Sequence, residues 1–288
     1  MKIAIVGAAY TGMAAARYFK SQGHEVRVTT TRADRAAELG AVAHQVVITK
    51  GSDVAGMKTL IDGVDAVVLT MAGGLGFKDG KPYMDPVAYR DSYVGTADGL
   101  IDALASAPKL RQIVFCSSLN AYGDAHGVSP VLETTPPNAA SPTAQVFIET
   151  EQKLAALGTD ALRIANFRTG TIYGPGREHR NEFRHIAGKQ IPFDGKSDAM
   201  LIHRDDVVRG IAFAIEKQLS GLFNLFNDLP ENKEDFFARV AKREGLEPVI
   251  WLGVVKGPKG VSNARIKGAG FTFADPVGAR EGDDLLAP

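Results

Sequence analysis

Through the first two-thirds of the chain, short and mostly apolar runs alternate with longer runs whose apolar positions recur every three or four residues. Residues 3–6, 25–29, 45–48, 66–70, 112–116 and 161–167 belong to the first kind and predict strands. Residues 12–21, 33–39, 87–106 and 144–157 belong to the second and predict helices. Strands apolar on both faces need cover on both faces, so the pattern predicts an α/β parallel sheet with right-handed crossovers. After residue 168 glycine and proline become more frequent and the spacing less regular. Helices are expected at 205–217 and 231–244, with a strand at 222–226 between them. The organisation predicted is a first domain over 1–168 and a smaller lobe over 169–288. No Ser/Gly linker divides them, so tight packing with some interleaved segments is expected.

Composition narrows the function. Hydrophobic residues at 45% and charged residues at 23% suit a chain that buries a core. Lys plus Arg total 33 and Asp plus Glu total 33, which removes any electrostatic reason to bind nucleic acid or an anionic membrane. Cys116 is the only cysteine and can form no internal disulfide, so a reducing, cytoplasmic setting is expected. The apolar run at 3–6 is too short for a signal-peptide core, and no run reaches membrane-spanning length.

The first strand ends in Gly7-Ala8-Ala9-Tyr10-Thr11-Gly12, a G-x-A-x-x-G spacing with alanine at the second glycine position. Between a strand and a helix, that spacing gives a tight turn, a close backbone approach and a helix N-terminus aimed at a pyrophosphate. It predicts a Rossmann-like doubly wound sheet holding NAD(P), with the C-terminal lobe binding substrate and closing over the nucleotide. Gly7, Ala9, Tyr10, Thr11 and Gly12 would line the phosphates. The second strand runs into Thr30, Thr31 and Arg32, where a carboxylate usually accepts the ribose hydroxyl. Two hydroxyls and a guanidinium favour a 2′-phosphate, so NADP is expected, with NAD the alternative. Thr70, Met71, Ala72 and Ser117 follow later strands and are expected at the same crevice.

Four further segments carry a family resemblance. Phe115-Cys116-Ser117-Ser118-Leu119-Asn120-Ala121-Tyr122-Gly123-Asp124, Ile172-Tyr173-Gly174-Pro175-Gly176-Arg177, Ile202-His203-Arg204-Asp205-Asp206-Val207 and Val261-Ser262-Asn263-Ala264-Arg265-Ile266-Lys267 occur in that order. The chain resembles the extended short-chain dehydrogenase/reductase superfamily, in its NAD(P)-dependent epimerase/dehydratase-like branch, among the atypical members. The resemblance implies a Ser/Thr, Tyr and Lys catalytic set. Ser118 falls at the serine position. After Ser141-Pro142, however, Thr143 stands at the tyrosine position and Phe147 at the lysine position. An aliphatic hydroxyl is a poor proton donor near neutrality, and phenylalanine has no charge.

Candidate replacements are Tyr122, whose other reading is a packing tyrosine, and Tyr173 with the same ambiguity. His203 titrates near neutrality, with helix capping as its other reading. Asp124 and His126 sit on a loop, with surface exposure as the alternative. Cys116 reads as core. Residues 71–86 read as a glycine-rich loop, either a lid with an apolar inner face or an irregular connection. The six histidines show no metal-ligand spacing, so no metal is expected. The reading is an NADP-dependent atypical reductase or epimerase-like enzyme acting on a small, partly apolar molecule. Alternatives are isomerase, lyase or cyclase chemistry on the same scaffold, or a non-catalytic NADP-binding sensor. A monomer or homodimer is expected, the latter through helices 87–106 and 144–157.

Overall fold

The computed structural model describes residues 1–78, 81–124 and 127–286, and the backbone alone at 75–78, 81, 82 and 182. Two residues weighed from the sequence, Gly80 and His126, lie outside the described residues. The chain opens with β1 (Lys2–Val6), α1 (Tyr10–Ser21), β2 (Glu25–Thr30), α2 (Ala36–Val42), β3 (Gln45–Ile48), α3 (Val54–Ile61) and β4 (Ala66–Leu69). Then come β5 (Leu75–Lys78), β6 (Lys81–Met84), α4 (Pro86–Arg90), a π-helical turn (Asp91–Gly95), α5 (Thr96–Ala103) and β7 (Gln112–Ser118). The chain continues through α6 (Pro142–Ala155), β8 (Arg163–Thr169), β9 (Thr171–Tyr173), α7 (His179–Arg184), β10 (Gln190–Phe193) and β11 (Leu201–His203). It ends with α8 (Arg204–Lys217), β12 (Gly221–Leu225), α9 (Lys233–Glu244), β13 (Ile250–Val255) and α10 (Ala264–Gly268).

β1 pairs in parallel with β2 and β4, β2 with β3, and β4 with β7. With β8 and β12 these form a seven-stranded parallel sheet of order β3-β2-β1-β4-β7-β8-β12, a Rossmann-like architecture. The chain steps outward from β1 to β3 and then returns to β4 on the other side of β1. The carboxyl ends of β1 and β4 therefore flank the switch point at which open α/β sheets hold ligands.

The residues fall into two compact units. Unit 1 is Met1–Ser117, Ser141–Phe167 and Val208–Leu222; unit 2 is Ser118–Ala140, Arg168–Val207 and Phe223–Pro288. Unit 1 buries the inward faces of β1, β4 and β7 with α3, α5 and α6, centred on Leu69, Leu100, Phe115 and Leu154. Helix α3 escaped the sequence pattern although Asp53 caps it, accepting a hydrogen bond from the Ala55 N–H (3.1 Å).

Two expectations are corrected in unit 1. The helix expected over 87–106 is interrupted by the π turn. There Ser92 Oγ donates to the Ala88 carbonyl (2.8 Å) and Thr96 Oγ1 to the Ser92 carbonyl (2.7 Å). Hydroxyls that take a carbonyl one turn back loosen the helical ladder and accommodate the extra residue. The loop read at 71–86 contains an antiparallel hairpin instead, β5 against β6.

Unit 2 holds two parallel strand pairs, β9 with β11 and β10 with β13. Its C-terminal segment is tied down by buried carboxylates. Asp206 accepts the Ala274 and Asp275 N–H groups (2.8 and 3.0 Å), and Asp205 accepts that of Leu285 (2.8 Å). Asp275 in turn accepts the Ala279 and Arg280 N–H groups (2.9 Å each) and the Tyr173 hydroxyl (2.6 Å). The Ile-His-x-Asp-Asp-Val segment thus anchors residues far away in sequence. Among the described residues, no helix is long and apolar enough to cross a membrane.

Removing the Asp206 carboxylate strands two N–H groups next to a fully buried site. Asp206→Ala is expected to lower unfolding free energy by about 2 kcal/mol or more, since each buried unsatisfied donor costs roughly 1–3 kcal/mol. Urea unfolding followed through Trp251, the single tryptophan, measures this, and an unchanged midpoint would contradict the anchoring role.

Candidate active site

In unit 1 the turn after β1 leaves no room for a side chain. Gly7 has φ +90°, and a Cβ there would lie 2.5 Å from the Met71 Cα. A Cβ on Gly12 would lie 2.3 Å from the Gly7 carbonyl oxygen and 2.7 Å from Thr70 Oγ1. Thr70 Oγ1 donates to the Gly7 carbonyl (3.1 Å), while the Gly7 N–H donates to Thr29 Oγ1 (3.0 Å). The turn is thereby clamped between β2 and β4.

Helix α1 then starts on Ala9 with no side-chain cap and no acid in its first turn. Helices α3, α4, α6 and α9 start differently: Asp53, Asp85, Ser141 and Asn232 each accept an N–H of the first turn. An uncapped helix N-terminus at a glycine turn is open to a phosphate. Ala9 is exposed and Tyr10 and Thr11 half-buried around it. These residues fit a dinucleotide.

Beside the turn, Thr30 Oγ1 accepts the Arg32 N–H (3.1 Å), so its hydroxyl shapes the corner after β2. Thr31 and Arg32 are exposed, and Arg32 pairs with Asp34. Arg35, which the sequence reading missed, donates from Nη1 to the Ala8 carbonyl (2.8 Å) and from Nε to Glu38 (3.0 Å). A guanidinium therefore braces the phosphate turn itself. Met71 is buried and Ala72 exposed after β4. Ser117 turns its hydroxyl inward, donating to the buried Glu151 carboxylate at 2.5 Å.

Unit 2 encloses a cavity of about 230 Å³. Ser118, Asn120, Thr169, Thr171 and Lys233 give it polar groups; Leu119, Met200, Leu201, Phe236 and Phe237 give it apolar wall. Ser118 Oγ accepts the Asn120 N–H (3.2 Å), which leaves its own proton to donate. Lys233 opens α9, and its Nζ sits 5.6 Å from the Phe193 ring centre. Burial pulls its pKa down, opposed by the charges of Asp194 and Asp198. Tyr173 and His179 also line the cavity, both nearly inaccessible to solvent. Burial raises the Tyr173 pKa and lowers that of His179, the latter opposed by Glu281.

Tyr122, His203, Asp124, Cys116 and Thr143 do not line this cavity. Tyr122 is fully buried, with its hydroxyl within hydrogen-bond reach of Asn224 Oδ1 (2.8 Å) and the Leu132 carbonyl (3.0 Å). The Arg168 guanidinium lies 4.3 Å over its ring, and burial raises the tyrosine's pKa. His203 is also fully buried. Its Nδ1 accepts the Asp205 N–H (3.1 Å), Nε2 meets no partner among the described residues, and its ring stands edge-on to Tyr173. Asp124 is exposed and accepts from Asn138 (2.6 Å). Burial pushes the Cys116 thiol up to about 12, which suits a core residue and not a nucleophile.

Residues 3–225 match the NAD dependent epimerase/dehydratase family. The chain belongs to that family. Members are NAD(P)-dependent enzymes of epimerase or oxidoreductase type. No curated protein matches the sequence. Among solved structures, the UDP-glucose 4-epimerase of Thermus thermophilus in complex with NAD is 20% identical, with a TM-score of 0.75 over 98% of this chain and 96% of that one. The UDP-glucose 4-epimerase of Thermotoga maritima with UDP-glucose is 19% identical, with a TM-score of 0.76 over 95% and 94%. A conserved protein of unknown function from Silicibacter pomeroyi is 22% identical, with a TM-score of 0.71 over 97% and 96%. At these identities the likeness is one of fold.

Two residues of α6 weighed in the sequence, Thr143 and Phe147, have distinct surroundings. Thr143 lies in the first turn of α6, half-buried, its hydroxyl 3.3 Å from that of Ser141. Phe147 sits edge-on to Tyr93 (ring centres 4.8 Å apart) and to Tyr89 (6.2 Å). Tyr93 belongs to the π turn, its ring centre 4.8 Å from that of Tyr89. Phe147 is thus part of an aromatic cluster beside the unit 1 core.

His203 and His179 are both held below the ordinary value of 6.5 by burial. The unfolded chain takes up protons near pH 6.5 that the folded chain resists, so stability is complete above that pH and falls as pH drops through it. Unfolding free energy is expected to be lower at pH 5 than at pH 7.5. His203→Asn, which keeps an acceptor for the Asp205 N–H, should flatten that slope; denaturant titrations at both pH values giving identical slopes would contradict it.

Proposed function

We propose that this chain is an NADP-dependent, atypical reductase or epimerase-like enzyme acting on a small, partly apolar molecule. The observation that carries the cofactor half is the uncapped start of α1 on the Gly7 turn, with Arg32 and Arg35 beside it. The carboxylate paired with Arg32, Asp34, already neutralises it. A 2′-phosphate can take over that guanidinium, whereas a bare ribose gains less from it. Gly7, Ala9, Tyr10, Thr11 and Gly12 would hold the pyrophosphate, and Thr31 and Arg32 the adenosine ribose. When bound, the nicotinamide supplies or accepts a hydride.

The cavity of unit 2 is the substrate site in this reading. Ser118 donates its hydroxyl proton to a substrate oxygen, and the wall of Leu201, Phe236 and Phe237 excludes water from the apolar part. Tyr122 and His203 are structural, because their polar atoms are turned into the protein. Thr143 serves to start α6. The Phe147 cluster favours a second reading, non-redox isomerisation or elimination on the same scaffold, since no ammonium stands at the family's lysine position. Substrate conversion without net cofactor oxidation would select it.

The cofactor preference is tested by Arg32→Asp. Reversing the charge removes a charge-assisted hydrogen bond to the 2′-phosphate and adds repulsion, so NADPH affinity should fall by about tenfold or more. NADH affinity should hold or rise. Equal losses for both, measured by fluorescence titration, would rule out the 2′-phosphate role.

A further inference from the structure

We infer that Lys233 is the anchor for a negative charge on the substrate, and that the substrate is a compact carboxylate on a mostly apolar body. The inference rests on the proposed reading of the unit 2 cavity as the substrate site, and it names the ligand class that cavity takes.

Lys233 is half-buried, and among the described residues its ammonium makes no hydrogen bond or ion pair. Its nearest feature is the Phe193 ring, 5.6 Å from Nζ. The two carboxylates that feel its charge are engaged elsewhere. Asp194 accepts the Lys196 N–H (2.9 Å), and Asp198 accepts the Val261 N–H (3.1 Å). A cation withdrawn from water without a partner is costly and is retained where it has a task. Among the described residues, the cavity it lines contains no carboxylate of its own, so nothing in the wall competes with an incoming anion.

The rest of the wall sets the size and character of the ligand. Lys233, Phe236 and Phe237 are spaced i, i+3 and i+4 on α9 and share one face, so charge and apolar surface reach the cavity together. Burial keeps His179 neutral near physiological pH, which leaves one cation in the cavity among the described residues. None of those residues in the wall is an arginine, and diphosphates are typically met by arginine forks. A volume of about 230 Å³ falls below the roughly 300–1,000 Å³ common for drug-sized ligands. One cation, neutral hydroxyls and aromatic wall in that space fit a monoanion smaller than a nucleotide sugar.

The test is calorimetric titration of the full chain with benzoate, phenylacetate and hexanoate, their uncharged amides, and UDP-glucose, each with and without saturating NADPH. Wild type, Lys233→Met and Lys233→Arg are compared. At least one carboxylate should bind about tenfold or more tighter than its amide. Lys233→Met should erase that preference and Lys233→Arg keep part of it. Thermal midpoints should show Lys233→Met as stable as wild type or more so, since an unpaired, partly buried charge is gone. Carboxylates binding no better than their amides, or not at all, would overturn the anchor. So would UDP-glucose binding unaffected by Lys233→Met. NADPH titration of the same three proteins reports separately: its failure would sink the proposed function, while the carboxylate series without cofactor still decides the anchor.

Discussion

The close approach at Gly7 governs unit 1. A backbone with φ +90° that passes within 2.5 Å of where a Cβ would meet Met71 can be built from glycine alone. That approach lets Thr70 reach the Gly7 carbonyl, brings Gly12 against the same oxygen, and sets the direction in which α1 leaves the sheet. The strand order then places this turn at the switch point between β1 and β4. Local geometry and topology converge on one place for an anion. The absence of a side-chain cap at the start of α1, where α3, α4, α6 and α9 are capped by Asp, Ser and Asn, is what such a place requires.

In the proposed reading, α6 departs from the family's catalytic set. Phe147 is integrated with Tyr89 and Tyr93, and the π turn carrying Tyr93 belongs to the same cluster. In that reading, losing the pair would cost general acid–base assistance worth roughly 10²–10⁴-fold in rate unless other groups supply it. The unit 2 cavity offers Ser118 and Lys233, while the Tyr122 hydroxyl and His203 Nδ1 are hydrogen-bonded within that unit.

Much of unit 1 was legible because its strands are apolar on both faces and its phosphate turn has a fixed spacing. The central strands were found within one or two residues. What escaped had physical causes. Strands β9 and β11 span three residues each, too few to show a period. The π turn arises from Ser92 and Thr96 back-bonding, which a hydrophobic pattern does not register. Lys233 was not singled out, since nothing about a charged residue opening an amphipathic helix marks it as lining a cavity. Arg35 was not singled out, because its bond to the Ala8 carbonyl depends on how α2 follows β2. Tyr122 and His203 drew notice for their chemistry, and in the structure they bond to Asn224 and the Asp205 N–H and do not line the unit 2 cavity.

The central claim is that the Gly7 turn and the start of α1 hold a dinucleotide. Fluorescence titration of NADPH into wild type and Gly12→Val, with folding of both checked by circular dichroism, addresses it most directly. The account predicts saturable enhancement of NADPH emission by wild type and its loss in a folded Gly12→Val protein, whose side chain would collide with the Gly7 carbonyl and Thr70 Oγ1. Binding of equal strength by both proteins, or by neither, would contradict it.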